Sequence, residues 1–417
     1  MGRKYVDEHW DFRTADTKAY THGFHNYPAI MIPQIAGELI DKFCKSAKLL
    51  FDPYCGAGTS LVEAYIRGID SIGTDLNPLA RLLTKAKTTP LDTKELNNYL
   101  KNFSDIVFSN GFGIPLNGDH KIPELTNIDY WFNKETQKEL AFIKDFIDQI
   151  ENSKIRDFFK VAFSETVRES SWTRNGEFKL YRMTEKQMRN FKPNVFSVME
   201  KKLLRAQKGL AQLIKDKKGK ANVEIYDFNT VQGVPEKILK RESVDIIVTS
   251  PPYGDSRTTV AYGQYSRLSN EWLDFKEANK VDRRLMGGNG NGANSSFMCK
   301  ALDEAIKQIA SNDSKRVKDV IGFYTDYKNS IDNIAPLVRK GGYSCYVVGN
   351  RKVKGVVLPT DEITRKFFEN NGFRHIETII RNIPNKRMPS KNSPTNIHGK
   401  LDSTMTNEYI VIMRKNP

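Results

Sequence analysis

The feature that most constrains the fold of this chain is a series of seven short runs of apolar and β-branched residues. Strand-like residues fill KLLFDPY (48–54), SIGTDL (71–76), VEIYDF (223–228), VDIIVTS (244–250), YSCYVVG (343–349), HIETIIRNI (375–383) and EYIVIMR (408–414). Helical patterns separate most of these runs, and such alternation is typical of a parallel, doubly wound sheet. Only a loop separates the last two, which predicts a hairpin with an antiparallel final strand. The sequence therefore predicts an α/β fold around a seven-stranded sheet.

The alternation is interrupted between residues 91 and 222 by a stretch that is helical in pattern. It is too long for one crossover, so we predict an inserted helical domain at 91–222, flanked by sheet-forming parts at 1–90 and 223–417. Two other segments lack strand or helix patterns. A Gly- and Asn-rich loop within 277–316 is predicted to be mobile or ordered by a ligand, and a basic hairpin loop spans 384–407.

The chain is basic, with a net charge of +15, and the excess is concentrated in the insertion. From Lys154 to Lys220 there are 18 Lys and Arg against 7 Asp and Glu. Within this stretch aromatic and basic residues are interleaved, namely Trp172, Phe178 and Tyr181 with Arg174, Lys179 and Arg182. A solvated helix face explains part of such a pattern. A patch this asymmetric, with aromatic residues, favours a nucleic-acid partner.

Other features of the composition exclude several classes of protein. The four cysteines form no CxxC pair and the six histidines lack metal-ligand spacing, so neither a metal site nor a disulfide framework is predicted. No apolar run reaches the ~18 residues of a membrane span. The first residues contain no apolar signal core. We therefore expect a cytoplasmic protein that does not bind a membrane.

The turn FDPYCGAGTS after the first predicted strand is typical of a ligand site. Gly56 and Gly58 permit a tight turn and a close approach of the backbone to a ligand, and a helix follows. The second strand ends in Asp75, about twenty residues later, as expected for a carboxylate that binds a ribose diol. A dinucleotide fingerprint needs a third glycine where Leu61 stands, and no GxxxxGK[ST] phosphate loop is present. A different nucleoside-containing cofactor is predicted.

The fourth predicted strand ends in the residues SPPY, 250–253. Two successive prolines continue neither a sheet ladder nor a helix, so these residues form a rigid bend at a strand end. Taken alone, the bend is equally well explained as a turn that ends the strand and has no functional role. Its position beside the cofactor turn of the first strand favours a functional role.

Together, DPYCGAGT, GTDLNP and TSPPYG resemble the S-adenosylmethionine-dependent amino-group DNA methyltransferases (N4-cytosine or N6-adenine) of restriction–modification systems. That family has a DPFxGxGT-like first motif and an [SDN]PP[YFW] catalytic motif. The upstream HNYPAIMIPQIAGELI resembles its N-terminal cofactor motif. The resemblance covers residues 1–90 and 223–417, which become the two halves of a catalytic domain. It implies a Rossmann-like class I methyltransferase sheet of seven strands, the last antiparallel.

The resemblance implies S-adenosyl-L-methionine as the cofactor. Asp75 is expected to bind its ribose, and Asp52 its amino or methionine end, although a capping carboxylate is an equal alternative for Asp52. Asn77 and Asp227 are expected near its adenine. The residues expected to bind the cofactor are Tyr27, Pro28, Asp52, Pro53, Cys55, Gly56, Gly58, Thr59, Asp75, Leu76, Asn77 and Asp227.

The resemblance also assigns the catalytic residues Ser250, Pro251, Pro252 and Tyr253. Exocyclic amino groups of bases are poor nucleophiles, because their lone pair is delocalised into the ring. Ser250 Oγ and the Pro251 carbonyl are expected to accept hydrogen bonds from this group, and Tyr253 to stack on a base flipped out of the duplex. Positioning and electrostatics then promote a direct methyl transfer. Three residues are expected to order the loop over the base, namely Asp255, Arg257 and Tyr262.

Serine in the first position of the catalytic motif is more common among N4-cytosine enzymes, so the resemblance favours cytosine N4 in double-stranded DNA. Adenine N6, an amino group in RNA, and a non-catalytic nucleic-acid-binding protein on the same scaffold are the alternatives. The insertion 91–222 and the loop 384–407 are both candidates for target recognition. The residues expected to bind nucleic acid are Arg174, Lys179, Arg182, Lys386 and Arg387. The expected partner is a cognate restriction endonuclease, and the expected state a monomer or weak dimer.

Overall fold

The computed structural model describes residues 2–112, 118, 120–255, 259–288, 296–383, 391–392, 402–403 and 405–417. Its centre is a mixed eight-stranded sheet. The strands are β1 (Arg3–Val6), β2 (Leu49–Asp52), β3 (Asp70–Thr74), β4 (Val223–Tyr226), β5 (Val244–Thr249), β6 (Val338–Val348), β7 (Phe373–Asn382) and β8 (Asn407–Lys415). Their order in the sheet is β1-β7-β8-β6-β5-β2-β3-β4. The final strand β8 runs antiparallel to both of its neighbours, β6 and β7, and the other pairs are parallel.

The sheet therefore has eight strands rather than the predicted seven. The additional strand is β1, which pairs with β7 at the edge of the sheet. Three of its four residues are exposed. A strand with so little buried surface has no apolar pattern that marks it in the sequence.

Helices cover both faces of the sheet and form the insertion. The longer α-helices of the described ranges are α1 (Pro33–Phe43), α2 (Thr59–Ile66), α3 (Pro78–Thr88), α4 (Thr93–Gly111), α5 (Lys134–Asp148), α6 (Ser153–Ser170), α7 (Val195–Asp216), α8 (Tyr262–Trp272), α9 (Lys300–Asn312), α10 (Arg316–Ile334) and α11 (Thr360–Glu369). Helices of four to six residues are Ile128–Trp131, Glu185–Asn190 and Val281–Arg284. Three 3-10 helices are Glu8–Asp11, Tyr20–Phe24 and Ala335–Leu337, and pairs of two-residue strands are Lys352–Val353 with Val356–Val357 and Lys391–Asn392 with Asp402–Ser403.

Successive residues of the central strands pack on opposite faces of the sheet. In β2, Leu50 belongs to a buried cluster with Ile35 of α1. Its neighbour Phe51 belongs to a different cluster, with Tyr327 of α10 and Phe367 of α11. Because side chains alternate along a strand, both faces of the sheet are buried under helices. This is the doubly wound arrangement that the strand–helix alternation predicted.

The helices between residues 93 and 216 do not form a separate core. Phe103 of α4, Phe159 of α6 and Leu203 of α7 lie in one buried cluster with Leu83 of α3 and Trp272 of α8. Helix α3 follows β3, and α8 follows the bend after β5. The insertion is thus packed directly on the two helices that flank the strand ends described next.

Candidate active site

A cleft opens at the carboxyl ends of β2, β3 and β5. These strands are neighbours and parallel, so the residues that follow them meet at one edge of the sheet. Residues that the sequence assigned to cofactor or catalysis and that line this cleft are Tyr27, Pro28, Asp52, Pro53, Cys55, Gly56, Thr59, Asp75, Leu76, Ser250 and Pro252. The structure therefore brings the two sequence motifs to one site.

The glycine turn after β2 is held from beneath by α3. Gly58 has a φ of 79°, and a Cβ there would lie 2.6 Å from the side chain of Thr84, so both the backbone and the packing require glycine. Thr84 Oγ1 donates to the Gly56 carbonyl at 3.0 Å, and Lys87 Nζ donates to the Ala57 carbonyl at 2.9 Å. Burial lowers the pKa of Lys87 to about 7. Gly58 shapes the turn without lining the cleft.

Asp75 lies at the end of β3 and is fixed by the backbone. Its Oδ2 accepts from Gly56 N at 3.0 Å and its Oδ1 from Asn77 N at 2.8 Å. Burial raises the pKa of Asp75. Asn77, expected near an adenine, instead caps α3 and donates to Tyr27 Oη at 2.9 Å from a buried position. Asn77 thus supports a wall of the cleft and does not line it.

Asp52, the last residue of β2, is the second carboxyl in the cleft and is buried. It accepts from Thr249 Oγ1 at 2.6 Å and from Tyr54 N at 3.1 Å. Burial raises the pKa of Asp52 to about 6, against the opposing effect of these hydrogen bonds. Within the described ranges, no Lys, Arg or His forms a salt bridge with Asp52 or Asp75. Asp52 is buried and Asp75 is partly buried, and Arg81 acts on Asp75 only through its charge, without a salt bridge. Two such carboxyls suit a positively charged ligand.

The proline bend follows β5 and faces the same cleft. Ser250 and Pro252 line it, whereas Pro251 and the half-buried Tyr253 adjoin it in the same bend. Ser250 Oγ donates toward the Val347 carbonyl at 3.1 Å and Tyr253 Oη at 3.3 Å, and Tyr253 Oη donates to Glu408 Oε1 at 3.0 Å. The link from Tyr253 to Glu408 joins positions 155 apart in the chain, and no local sequence pattern indicates it.

The cleft has further lining residues that the sequence analysis did not assign to the cofactor or to catalysis. One of them, Tyr262, was expected only in the loop over the target base. Tyr262 lines the cleft and stacks on Tyr27, with ring centroids 6.0 Å apart and an interplanar angle of 23°. Lining residues that the sequence analysis did not assign include Ile30, Met31, Tyr54, Phe228, Thr230 and Met286. Phe228 was detectable in principle, because it ends the run VEIYDF at the same edge of the sheet.

Asp227 has a different location from the one expected. Its side chain is 73% exposed and lies 3.9 Å from Arg81. It borders a neighbouring depression, together with Arg283 and Arg284, and does not line the cleft. The next residue, Phe228, lines both this depression and the cleft, so Phe228 and not Asp227 reaches the cleft.

Of the residues expected to order the loop over the base, Asp255 is buried behind the proline bend. Its Oδ2 accepts from Arg351 Nη1 at 3.4 Å, and Arg351 also donates to Thr259 Oγ1 at 2.6 Å. Asp255 thus connects the bend to the segment that follows β6. Arg257 lies outside the described residues.

The basic loop of the insertion, residues 171–183, packs beside α8. The Arg182 guanidinium lies 4.1 Å from the Tyr130 ring centroid and 5.3 Å from that of Trp172. The Phe178 ring lies 6.4 Å from that of Tyr265 on α8. The exposed Arg174 and the partly buried Lys179 flank these rings. Lys386 and Arg387 lie outside the described residues.

Two classes of site are not found in the described part of the chain. No group of three or more His, Cys, Asp or Glu side chains within it is arranged to hold a metal ion. No helix within the same ranges is both long and apolar enough to cross a membrane.

Comparison with known proteins gives the family. No family model matches the chain. The Type II methyltransferase M.MvaI of Kocuria varians is 39% identical over 430 residues, which cover 98% of this chain and 94% of that protein. The Type II methyltransferase M.BsoBI of Geobacillus stearothermophilus is 20% identical over 85% of this chain and 79% of its own length. Among solved structures, the rRNA methyltransferase aviRa of Streptomyces viridochromogenes is 10% identical over 98% of this chain and 93% of its own, at a TM-score of 0.33 that is too low to inform the fold. The relationship to M.MvaI confirms the resemblance seen in the motifs: the chain belongs to the Type II methyltransferases and is a DNA methyltransferase.

Proposed function

We propose that this protein transfers the methyl group of S-adenosyl-L-methionine to the exocyclic N4 of a cytosine flipped out of double-stranded DNA. The observation that supports the proposal most strongly is the meeting of two motifs in one cleft. Asp52 and Asp75, the carboxylates expected at the cofactor, line the same cleft as Ser250, the acceptor expected at the base.

The cleft fits the chemistry of this cofactor. S-adenosyl-L-methionine, when bound, supplies an electrophilic methyl group on a positively charged sulphur. Asp75 is placed to bind the ribose diol, and Asp52 to bind the amino group at the methionine end. Because neither carboxylate forms a salt bridge in the described ranges, and only Asp75 has a cation, Arg81, acting on it from nearby, Asp52 is the one available to the cationic amino group. Phe228 and Met286 provide an apolar wall for the adenine ring, which we assign in place of Asp227.

The proline bend supplies what an amino-group nucleophile requires. Ser250 Oγ and the Pro251 carbonyl accept hydrogen bonds from the NH2 group, which orients its lone pair toward the methyl group. Pro251 and Pro252 lack backbone N–H groups, so this part of the bend presents acceptors without competing donors. Tyr253 offers a ring face on which the flipped base stacks. These residues act by positioning and by electrostatics.

We further propose that the insertion 91–222 carries part of the DNA-binding surface, in the loop 171–183. This loop is anchored to α8, which begins at the cleft. Leu180 N donates to Gln264 Oε1 at 3.4 Å. Arg168 of α6 bridges the two elements, because it donates to the Glu177 carbonyl of the loop at 2.5 Å and to the Tyr265 carbonyl of α8 at 3.0 Å. Arg174 and Lys179 are thereby held near a duplex whose base enters the cleft, where they neutralise phosphates.

The first experiment identifies the methylated product. Purified protein is incubated with labelled S-adenosyl-L-methionine and unmethylated genomic DNA, and the DNA is digested to nucleosides for mass analysis. N4-methylcytosine is the expected product, and sequencing of the modified sites gives the recognition sequence. N6-methyladenine would correct the base and keep the site chemistry. The absence of any methylated deoxynucleoside would overturn the proposal. A cognate endonuclease that cleaves only the unmodified sequence is the proposed partner.

A further inference from the structure

A series of hydrogen bonds extends from the cleft to an ion pair between the partly buried Glu408 and the buried Arg381. It begins at Ser250 Oγ, which lines the cleft, and passes to Tyr253 Oη at 3.3 Å. Tyr253 Oη then donates to Glu408 Oε1 at 3.0 Å, and Glu408 Oε2 accepts from Arg381 Nη1. Arg381 is itself buried and donates to the carbonyls of Trp10 at 2.7 Å and Asp11 at 3.2 Å.

The ion pair at the far end fixes the direction of every bond in this series. A carboxylate has no proton to donate, so the Tyr253 hydroxyl must donate to Glu408. A phenol has a single proton, and the Tyr253 oxygen is therefore only an acceptor toward Ser250. The single Ser250 proton has two acceptors away from the cleft, Tyr253 Oη at 3.3 Å and the Val347 carbonyl at 3.1 Å. With either acceptor, the lone pairs of Ser250 Oγ stay available on the side of the cleft.

Glu408 therefore prevents one specific competition. Without its carboxylate, the Tyr253 hydroxyl is able to rotate and donate to Ser250, occupying a lone pair that the amino group of the base needs. Resting on the function proposed above, we propose that Glu408 is a positioning residue that keeps Ser250 a hydrogen-bond acceptor for the amino group of the target base. Glu408 acts through Tyr253 and does not line the cleft.

Elsewhere in the protein, a second tyrosine donates to a glutamate that also binds a basic side chain, and this group serves as a matched control. Tyr5 Oη donates to Glu377 Oε2 at 3.0 Å, and Lys42 Nζ donates to Glu377 Oε1 at 2.9 Å. Tyr5 lies on the edge strand β1 and Glu377 on β7, and neither lines the cleft. Substitutions here remove the same kinds of bond without a connection to Ser250.

The test is a double-mutant cycle on the rate of methyl transfer in a single turnover. Arg381 can only donate, so the amide oxygen of E408Q turns to Arg381 and its NH2 group turns to Tyr253, which frees the Tyr253 proton. E408Q should slow transfer about tenfold when Tyr253 is present and less than about twofold in a Tyr253→Phe background, where no hydroxyl proton exists. E377Q, with or without Tyr5→Phe, should change the rate less than about twofold. An equal loss from E408Q in both backgrounds would overturn the proposal.

A second variant tests whether a loss of rate is caused by misfolding. A second measurement tests the proposal by DNA binding, without methyl transfer. Glu408→Asp keeps a negative charge for Arg381 but shortens the reach to Tyr253, so it should stay folded and also slow transfer. Binding is then measured without cofactor, on the duplex identified by sequencing and on the same duplex whose target base carries hydrogen in place of the amino group. Wild-type protein should prefer the amino-bearing duplex about fivefold and E408Q less than about twofold. An undiminished preference in E408Q would contradict the role of Glu408 while leaving the proposed function intact. Wild-type protein that methylates no DNA would overturn both.

Discussion

Two turns at the ends of neighbouring strands form the cleft, and they differ in the residues that build them. The turn after β2 contains glycines with positive φ, and two carboxyls lie nearby, the buried Asp52 and the partly buried Asp75. The bend after β5 contains two prolines, which have no N–H, and presents the oxygen of Ser250. Carboxylates suit a cofactor with positive charge and a ribose diol, and an acceptor-only bend suits an amino group. The comparison indicates that cofactor binding and nucleophile orientation depend on separate residues and can be disrupted separately.

The largest expected effect comes from the bend after β5. Ser250→Ala removes the side-chain acceptor, and the loss of one preorganised hydrogen-bond partner at a reacting group typically slows the chemical step by about a hundredfold or more. The affinity for cofactor should change less than about twofold, because Ser250 is not among its proposed ligands. Single-turnover methyl transfer and equilibrium cofactor binding are the two measurements. A parallel loss of cofactor affinity would show that the two turns do not act separately.

The turn after β2 should show the reverse pattern. Asp75→Ala removes a carboxylate that is proposed to bind the ribose diol, and hydrogen bonds to a charged group are worth about tenfold to a hundredfold in affinity. Transfer at saturating cofactor should fall only slightly. Equilibrium binding of S-adenosyl-L-methionine checks the prediction.

Asp227 provides the comparison for Asp75, since both were expected at the cofactor from the sequence. Because the Asp227 side chain is exposed and borders a different depression, Asp227→Ala should change cofactor affinity less than about twofold. A loss equal to that of Asp75→Ala would return Asp227 to the cofactor site.

These two carboxylates also show what the sequence could and could not predict. Strand runs with glycine or proline turns at their ends placed Asp75 and Ser250 at one edge of a parallel sheet, because that edge is fixed by topology alone. The direction of a side chain within a turn depends on long-range packing, so Asp227 was expected in the cleft where Phe228 lies. The contact from Tyr253 to Glu408 depends on β8 lying between β6 and β7, which no local pattern reports. The edge strand β1 was missed because it buries almost nothing.

A smaller effect, confined to DNA, is expected from the basic loop 171–183. Arg174→Glu combined with Lys179→Glu should weaken binding of duplex DNA about tenfold near 0.1 M salt and make the log–log salt dependence shallower by about two. Both turns of the cleft stay intact, so cofactor affinity should not change. Arg182 is left in place, because it packs on Tyr130 and Trp172.

The control for this pair carries the same change of charge at the opposite edge of the sheet. Lys240 and Arg241 are exposed and lie a few residues before the amino end of β5. Lys240→Glu with Arg241→Glu should weaken DNA binding much less than the loop variant. Equal losses from the two pairs would mean that net charge alone, and not the loop, governs binding.

The smallest expected effect is a pH dependence of the affinity for cofactor. This dependence distinguishes the role of Asp52 from that of Asp75. Burial raises the pKa of Asp52 to about 6, so the free protein takes up a proton at this position as the pH falls below that value. A cationic amino group binds the ionised form, and protons therefore compete with the cofactor. Affinity should fall between pH 7 and pH 5 by somewhat less than about tenfold.

Asp52→Asn should lower cofactor affinity at pH 7 and flatten this pH dependence. The charged neighbour is Asp75, whose pKa is also raised by burial, and Tyr54, Cys55 and Tyr346 nearby are neutral in this range. Any dependence that persists in Asp52→Asn therefore belongs to Asp75, to the cofactor itself, or to Lys87 under the glycine turn, whose pKa burial lowers to about 7. If the slope were unchanged in Asp52→Asn, Asp52 would be a capping carboxylate that supports the turn through Thr249 and Tyr54. Asp75 would then be the only one of the two carboxylates near the turn after β2 that binds the cofactor.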